Sequence, residues 1–400
     1  MSAVIRTPRS ARRTLAVCGG VHALHDGFTD LLNVLYPLLQ AQFSLSYAAV
    51  GGLKTVYSAA MASGQIPAGQ LARRFGGVVV LASGTALIGV GYLLAGFSGS
   101  MAGAVIGLAL AGLGGATQHP IASSLVAAAY PGLRSRPALG TYNFTGDVGK
   151  VVLPALFALV AASLGWQEAM IVMAGVAVLG AGIIIATMPP LHVSPASAEA
   201  RPVAGQDRPW AYWLLFSIHI ADGLVRSGFL IFLPFLLRDK GADLPTIGLG
   251  LSLVFAGGAA GKLAMGWVGA RFGVVPSVVL SELATTAMIL ALLPLPLVGA
   301  LALLPLVGLA LNGTSSVLYG TVPEFVSAER RTHAFAVFYT GGSIAGAVAP
   351  LGFGLVGDLI GLAPALAVAG CVALATVPLA WALRPAFRAP EVRPTSGPSG

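Results

Sequence analysis

His22, Asp26, Asp30 and Asn33 recur at i, i+4, i+8 and i+11 inside an apolar run from Leu15 to Leu39. A helix places all four on one face. The run is long enough to cross a bilayer, and ionisable side chains at that depth must face protein or water rather than lipid. The chemistry open to such a stripe is proton exchange. A buried carboxylate takes up or releases a proton as its desolvation and its cationic neighbours change, and imidazoles titrate near neutral pH. Asp26 and Asp147 are the expected coupling carboxylates, with His22 and His119 beside them as proton carriers. His25 falls one position off the stripe and is expected to pack against a neighbouring helix.

A second stripe runs Asn143, Asp147, Lys150 and Pro154, at i, i+4, i+7 and i+11. Two readings of Asp147 stand: a titratable wall of a cavity, or an internal pair with Lys150 at i+3. A third stripe is His219, Asp222 and Arg226. A guanidinium is a planar, bidentate anchor for an anionic group, but Arg226 could equally pair with Asp222 or Asp30. Lys54 is expected at a depth similar to that of Asp30, so that pair can be mutually neutralising. The expected substrate-contacting set is Asp30, Asn33, Gln118, Asn143, Lys150, His219, Asp222, Arg226, Lys262 and Tyr339. Asn312, Tyr319 and Tyr339 read either as cavity-wall hydrogen bonders or, more commonly for a lone Asn or Tyr in a span, as helix-packing contacts. Glu282 reads as structural.

These residues need membrane-spanning helices to hold them. The 400 residues are 56% hydrophobic and only 9% charged, with a mean hydropathy of +0.86. Soluble domains carry about 25% charged residues, so the composition indicates an all-α, polytopic membrane protein. Twelve spans fit: 14–39, 47–69, 77–96, 100–128, 138–162, 167–187, 210–237, 244–268, 274–296, 299–322, 333–358 and 362–383. They divide into an N-terminal segment (1–13), a six-helix bundle (14–187), a linker (188–209), a second six-helix bundle (210–383) and a disordered tail (384–400). Sixteen of the 22 lysines and arginines fall on the side of the two termini: Arg6, Arg9, Arg12, Arg13, Arg73, Arg74, Arg134, Arg136, Arg201, Arg208, Arg271, Arg330, Arg331, Arg384, Arg388 and Arg393. Arg238 and Lys240 fall on the opposite side, and Lys54, Lys150, Arg226 and Lys262 within spans. Positive charge gathers on the cytoplasmic side, so both termini are expected inside. The net charge of +8 then needs no nucleic-acid partner.

The halves repeat. Gly69-Gln-Leu-Ala-Arg-Arg74-Phe-Gly76 recurs as Gly266-Trp-Val-Gly-Ala-Arg271-Phe-Gly273, and at the same offset Gly51 meets Gly248. Asp26-Gly27 meets Asp222-Gly223 with one gap, so Asp30 meets Arg226. Two six-span halves around a midplane site are the pattern of a transporter that rocks between two access states.

These features resemble the major facilitator superfamily across essentially the whole chain. The Gly69–Gly76 stretch is similar to that family's loop motif, although Arg73 stands where an acidic residue is usual, which sets aside the motif's usual latch. Within the superfamily, His22-x-x-x-Asp26, Tyr36-Pro-Leu-Leu-Gln40, Gln118-His119-Pro120 and Tyr142-Asn143-x-x-Gly146-x-x-Gly149 with Pro154 resemble the fosmidomycin-resistance group of drug exporters. That resemblance implies proton-driven export of a small molecule. Proton-coupled uptake of a small organic anion is the alternative, and a non-transporting membrane sensor a third reading. The chain has no GK[ST] loop, HExxH, CxxC or GxSxG, so nucleotide, metal and serine-hydrolase chemistries lack their motifs. No cofactor is expected; the energy source is the proton gradient. The expected setting is a monomer in a bacterial inner membrane, with the bilayer, protons and a small-molecule substrate as partners. Cys18 and Cys371 read as free thiols.

Overall fold

A computed structural model describes residues 8–130, 134–188, 207–327 and 330–387; the termini and most of the expected 188–209 linker lie outside the described residues. The described chain is helical, without strands. One bundle holds α1 (Pro8–Phe43), α2 (Tyr47–Phe75), α3 (Gly77–Ser98), α4 (Met101–Gly115), α5 (Gln118–Ala129), α6 (Ser135–Leu164) and α7 (Trp166–Thr187). The other holds α8 (Pro209–Asp239), α9 (Leu244–Phe272), α10 (Val274–Leu292), α11 (Leu297–Thr321), α12 (Arg331–Ile360), α13 (Leu362–Val372) and α14 (Thr376–Leu383).

Two pairs of these helices each complete one span, so the architecture is twelve spans in two six-span bundles. Pro120 lacks the N–H that would bond the Ala116 carbonyl, and the fourth span accordingly breaks between α4 and α5. The last span joins α13 to α14 through a short 3₁₀ segment, Ala373–Ala375. Expected limits shift by four or more residues at several ends. The first span runs from Pro8 to Phe43 rather than 14 to 39, the second ends at Phe75 rather than 69, and the eighth at Phe272 rather than 268. The ninth ends at Leu292 rather than 296, and the twelfth runs on to Phe387 rather than 383.

Ten spans are long and apolar enough to cross a membrane by length and composition; α1 and α2 are not among them. The reason is their cargo of polar residues. His22, His25 and Asn33 on α1 are buried within the protein rather than presented to lipid, as polar groups at membrane depth require.

The repeat governs packing. In one bundle α1 lies along α6, and in the other α8 lies along α12. Across the bundles α2 packs on α12 and α9 on α6, a two-fold exchange of partners. Small residues permit it: a Cβ on Gly51 would collide with the Pro350 carbonyl, and one on Gly248 with Ala158 and the backbone at Pro154 and Ala155. The repeated Arg-Phe-Gly ends α2 and α9 with Gly76 and Gly273 at φ 90° and 87°, a region only glycine enters without strain.

These seams lie on the side away from the termini. There the Asp358 carboxylate accepts hydrogen bonds from the Tyr47 and Ala48 amides at 2.7 and 3.0 Å, capping α2 from the opposite bundle. Arg238 also crosses over, donating to Gln40 Oε1 at 2.8 Å. The far side is therefore closed.

Candidate functional site

Between the bundles lies a cavity of about 530 Å³, a volume suited to a drug-sized ligand. Its lining comes from α1 (His22, Asp26, Asp30, Asn33), α2 (Lys54), α5 (His119), α6 (Asn143, Asp147, Lys150), α8 (Arg226, Ser227, Leu230), α9 (Phe255, Gly258, Lys262), α11 (Asn312, Ser315, Ser316, Tyr319) and α12 (Tyr339). Spans 1, 2, 4, 5, 7, 8, 10 and 11 therefore all contribute to its walls.

The N-terminal half of the site is organised on Asp26. Glycines bring α6 against α1: a Cβ on Gly149 would strike the Ala23 carbonyl, and one on Gly146 would meet Asp26 and His22 at 2.7 Å. This approach delivers Lys150 Nζ to 3.2 Å from Asp26 Oδ2. His22 Nε2 lies 3.3 Å from the same oxygen, and His119 Nε2 3.8 Å from Oδ1. The other His22 nitrogen, Nδ1, is 2.8 Å from the Tyr142 carbonyl, and the two rings stack with centroids 4.2 Å apart. A carbonyl only accepts, so Nδ1 carries hydrogen, and Nε2 is the nitrogen turned to Asp26. Asp26 is 14% exposed, toward the cavity. One carboxylate thus meets two imidazoles and an ammonium, groups whose chemistry allows a proton to be shared among them.

His22, Asp26 and His119 each offer one atom within 4.8 Å of the others, a spacing that could hold a metal ion. Lys150 is the cation that stands at that carboxylate here.

The internal Asp147–Lys150 pair is not formed. Asp147 Oδ1 instead receives Lys262 Nζ at 2.6 Å, across the gap between bundles. Asp30 and Lys54 also form no ion pair within 4 Å: Asn33 donates to Asp30 at 3.2 Å, and the Lys54 ammonium lies over the Tyr57 ring, 5.5 Å from its centroid. Arg226 pairs with Asp222, not Asp30, its Nη2 lying 3.0 Å from Oδ2.

A family model described as the Major Facilitator Superfamily matches residues 19–221 and 215–399. The chain belongs to that superfamily. It is a multi-pass membrane transporter, not an enzyme, and its curated relatives include drug exporters and a probable sulfoacetate transporter. The tetracenomycin C resistance and export protein of Streptomyces glaucescens is 30% identical over 194 residues, spanning 46% of this chain and only 36% of that protein. The fosmidomycin resistance protein of Escherichia coli is 28% identical over 158 residues, 39% of each chain. A probable sulfoacetate transporter of Cupriavidus necator is 25% identical over 353 residues, 81% of this chain and 82% of the other. A bacterial homolog of the human lysosomal transporter Spinster, in an inward-facing and occupied conformation, shares the fold with a TM-score of 0.83 at 16% identity, covering 95% and 98% of the two chains. The nucleoside transporter NupG shares it at 0.75 and 13%, covering 94% and 100%.

Within this facilitator fold, not every residue expected at the site reaches the cavity. Gln118 is buried and donates to the Tyr142 hydroxyl at 2.6 Å, bracing the stack on His22. His219 and Asp222 stand behind the wall, supporting Tyr319 and Arg226. His25 is buried against α3, with Nε2 2.8 Å from the Thr85 hydroxyl, a packing role as expected. Glu282 is 1% exposed and outside the cavity lining. The residues that sequence reading did not single out are Ser227, Leu230, Phe255, Gly258, Ser315 and Ser316. A signal existed for the serines: Asn312, Ser315, Ser316 and Tyr319 fall at i, i+3, i+4 and i+7, one polar face of an apolar helix.

Proposed function

We propose that this transporter works by alternating access, exporting a small drug-like or organic-anion compound in exchange for protons. The observation that carries the proposal is the Asp26 cluster, a carboxylate held by Lys150 and two imidazoles inside a cavity between the bundles. Protonating Asp26 removes the charge that holds Lys150 and His22. Lys150 lies within electrostatic reach of Asp30 and Asp147, so a released ammonium competes for Asp147 with Lys262 of the other bundle. Proton binding at one carboxylate thereby loosens the bridge between halves, which is the coupling that exchange requires. The charge bias supports cytoplasmic termini in a bacterial inner membrane; in that orientation the closed far side makes this an inward-facing state. Nothing in the cycle calls for a cofactor, and each two-bundle chain carries a complete cavity, consistent with a functional monomer.

A second reading is proton-coupled uptake of a small organic anion. The cationic face formed by Arg226 and Lys262 favours it, as does the likeness to a protein named as a probable sulfoacetate transporter. Substrate accumulation in cells with and without the protein separates the two. Export predicts greater accumulation in cells lacking the protein, a difference that vanishes when the proton gradient is collapsed. Greater accumulation in cells that have the protein supports uptake and overturns export.

A further inference from the structure

The two walls of the cavity differ in kind. The N-terminal wall presents the carboxylates Asp26, Asp30 and Asp147 together with the ammonium groups of Lys54 and Lys150, whereas the C-terminal wall presents Arg226 and Lys262, the latter reaching across to Asp147, with no carboxylate in the lining. Arg226 spends one hydrogen bond, from Nη2, on Asp222 behind it. A guanidinium has five N–H donors, so the rest of its fork is free to meet an anion. The same wall carries an aromatic stack. His219 lies flat on Phe338 with centroids 4.1 Å apart; Tyr319 packs edge-on against both, at 5.2 and 5.3 Å; and Tyr339 stacks on Tyr319 at 4.9 Å and 29°. His219 and Phe338 are buried and Tyr319 partly so, while Tyr339 is 58% exposed; both tyrosines line the cavity. Phe335 also meets the Tyr339 ring, at 6.4 Å and 33°, so the exposed part of that ring is held in place by two aromatic neighbours. Arg226 is seven residues beyond His219 on α8, about 10 Å along the helix axis.

We infer that this wall is a binding subsite for planar aromatic molecules carrying an anionic group, the ring on Tyr339 and the anion on Arg226 and Lys262. The inference rests on the cavity being the transport site, and it narrows the cargo from any small compound to aromatic anions. Aromatic rings prefer offset or edge-on stacking on one another, and a preorganised face minimises the ordering cost of binding. The C-terminal wall, with no carboxylate in its lining, is the side on which the anion meets no like charge. An aliphatic anion would use the charges and leave Tyr339 uncovered; a neutral aromatic would do the reverse.

The test is isothermal titration calorimetry of the purified full chain with 2-naphthalenesulfonate, methanesulfonate and 2-naphthalenemethanol. The wild type is expected to bind 2-naphthalenesulfonate at least about tenfold more tightly than either of the others. Tyr339→Leu should weaken 2-naphthalenesulfonate by about three- to tenfold, the worth of one aromatic contact, while leaving methanesulfonate unchanged, and Tyr339→Phe should restore it. Tyr339 is exposed, so these variants keep the core intact, and a thermal melt of each checks folding. Equal affinity for the two sulfonates, retention of the preference in Tyr339→Leu, or binding of none of the probes overturns the inference. The reading as a proton-coupled exporter is judged separately by flux: a preference for the aromatic anion without proton-linked transport would sink that reading and leave this one standing.

Discussion

Replacing Lys262 by Met removes the cation from the only ion pair that joins the two bundles among the described residues, at nearly constant side-chain volume. Asp147 lies twelve residues into α6 and Lys262 ten residues from the end of α9, so the bridge sits on the terminal side of mid-depth. Its 2.6 Å separation marks a charge-assisted hydrogen bond. The Asp147 side chain is 13% exposed and that of Lys262 37%. The worth of the pair therefore falls between the near-zero value of an exposed pair and the 3–5 kcal/mol lost on breaking a fully buried one, at about 1–2 kcal/mol. That is roughly a five- to thirtyfold change in the balance between states. Spin labels at the exposed positions Thr141 and Arg271, read by double electron–electron resonance, report the width of the terminal-side mouth. Lys262→Met and Asp147→Asn should each move the distance distribution toward a wider mouth. The double variant should go no further than the singles, because the second change removes nothing the first has left. Unchanged distributions in both singles, or additive effects in the double, would refute the claim that this bridge ties the halves together.

Three further outcomes follow from the same geometry. Asp358→Ala uncaps α2 from the opposite bundle, and a carboxylate at a helix N-terminus is worth about 1 kcal/mol; in a Cys371→Ala background, far-side maleimide labelling of Asn33→Cys should accelerate by about fivefold, and an unchanged rate would remove Asp358 from the closure. Gly51→Leu drives a side chain into the Pro350 backbone, an overpacking cost of about 1–3 kcal/mol or more; it should abolish transport while the same substitution at Gly52, which has open space around its Cα, is tolerated. Arg226→Lys keeps the charge and the Asp222 pair but loses the fork, so apparent affinity for an anionic substrate should fall by about five- to tenfold in uptake or efflux kinetics, with little change for a neutral one.

The fold was legible because periodicity and repetition are local signals. The first stripe at i, i+4, i+8 and i+11 is one face of α1, and the repeated Arg-Phe-Gly marks the ends of α2 and α9. The break in the fourth span was written in Pro120, though its effect on the Ala116 carbonyl shows only once the helix is built. What the sequence could not carry was partner choice. Asp147 has Lys150 one turn away on its own helix, yet pairs with Lys262, 115 residues distant. The cause is the approach of α6 to α1 through Gly27, Gly146 and Gly149, which commits Lys150 to Asp26. Likewise Asp30 and Lys54 form no ion pair within 4 Å: Asn33 donates to Asp30, and the Lys54 ammonium lies over the Tyr57 ring. Asp222 and Arg226 did find each other, since i and i+4 on one helix is a local relation.

The central claim is that proton exchange at Asp26 drives transport, and proteoliposomes with an imposed pH gradient test it most directly. Wild-type protein should move substrate against its gradient in proportion to the pH difference, with a measurable counterflow of protons. Asp26→Asn should fold, bind substrate and still exchange it at equal concentrations on both sides, with no response to the pH gradient. Gradient-driven accumulation by Asp26→Asn at the wild-type rate would contradict the account.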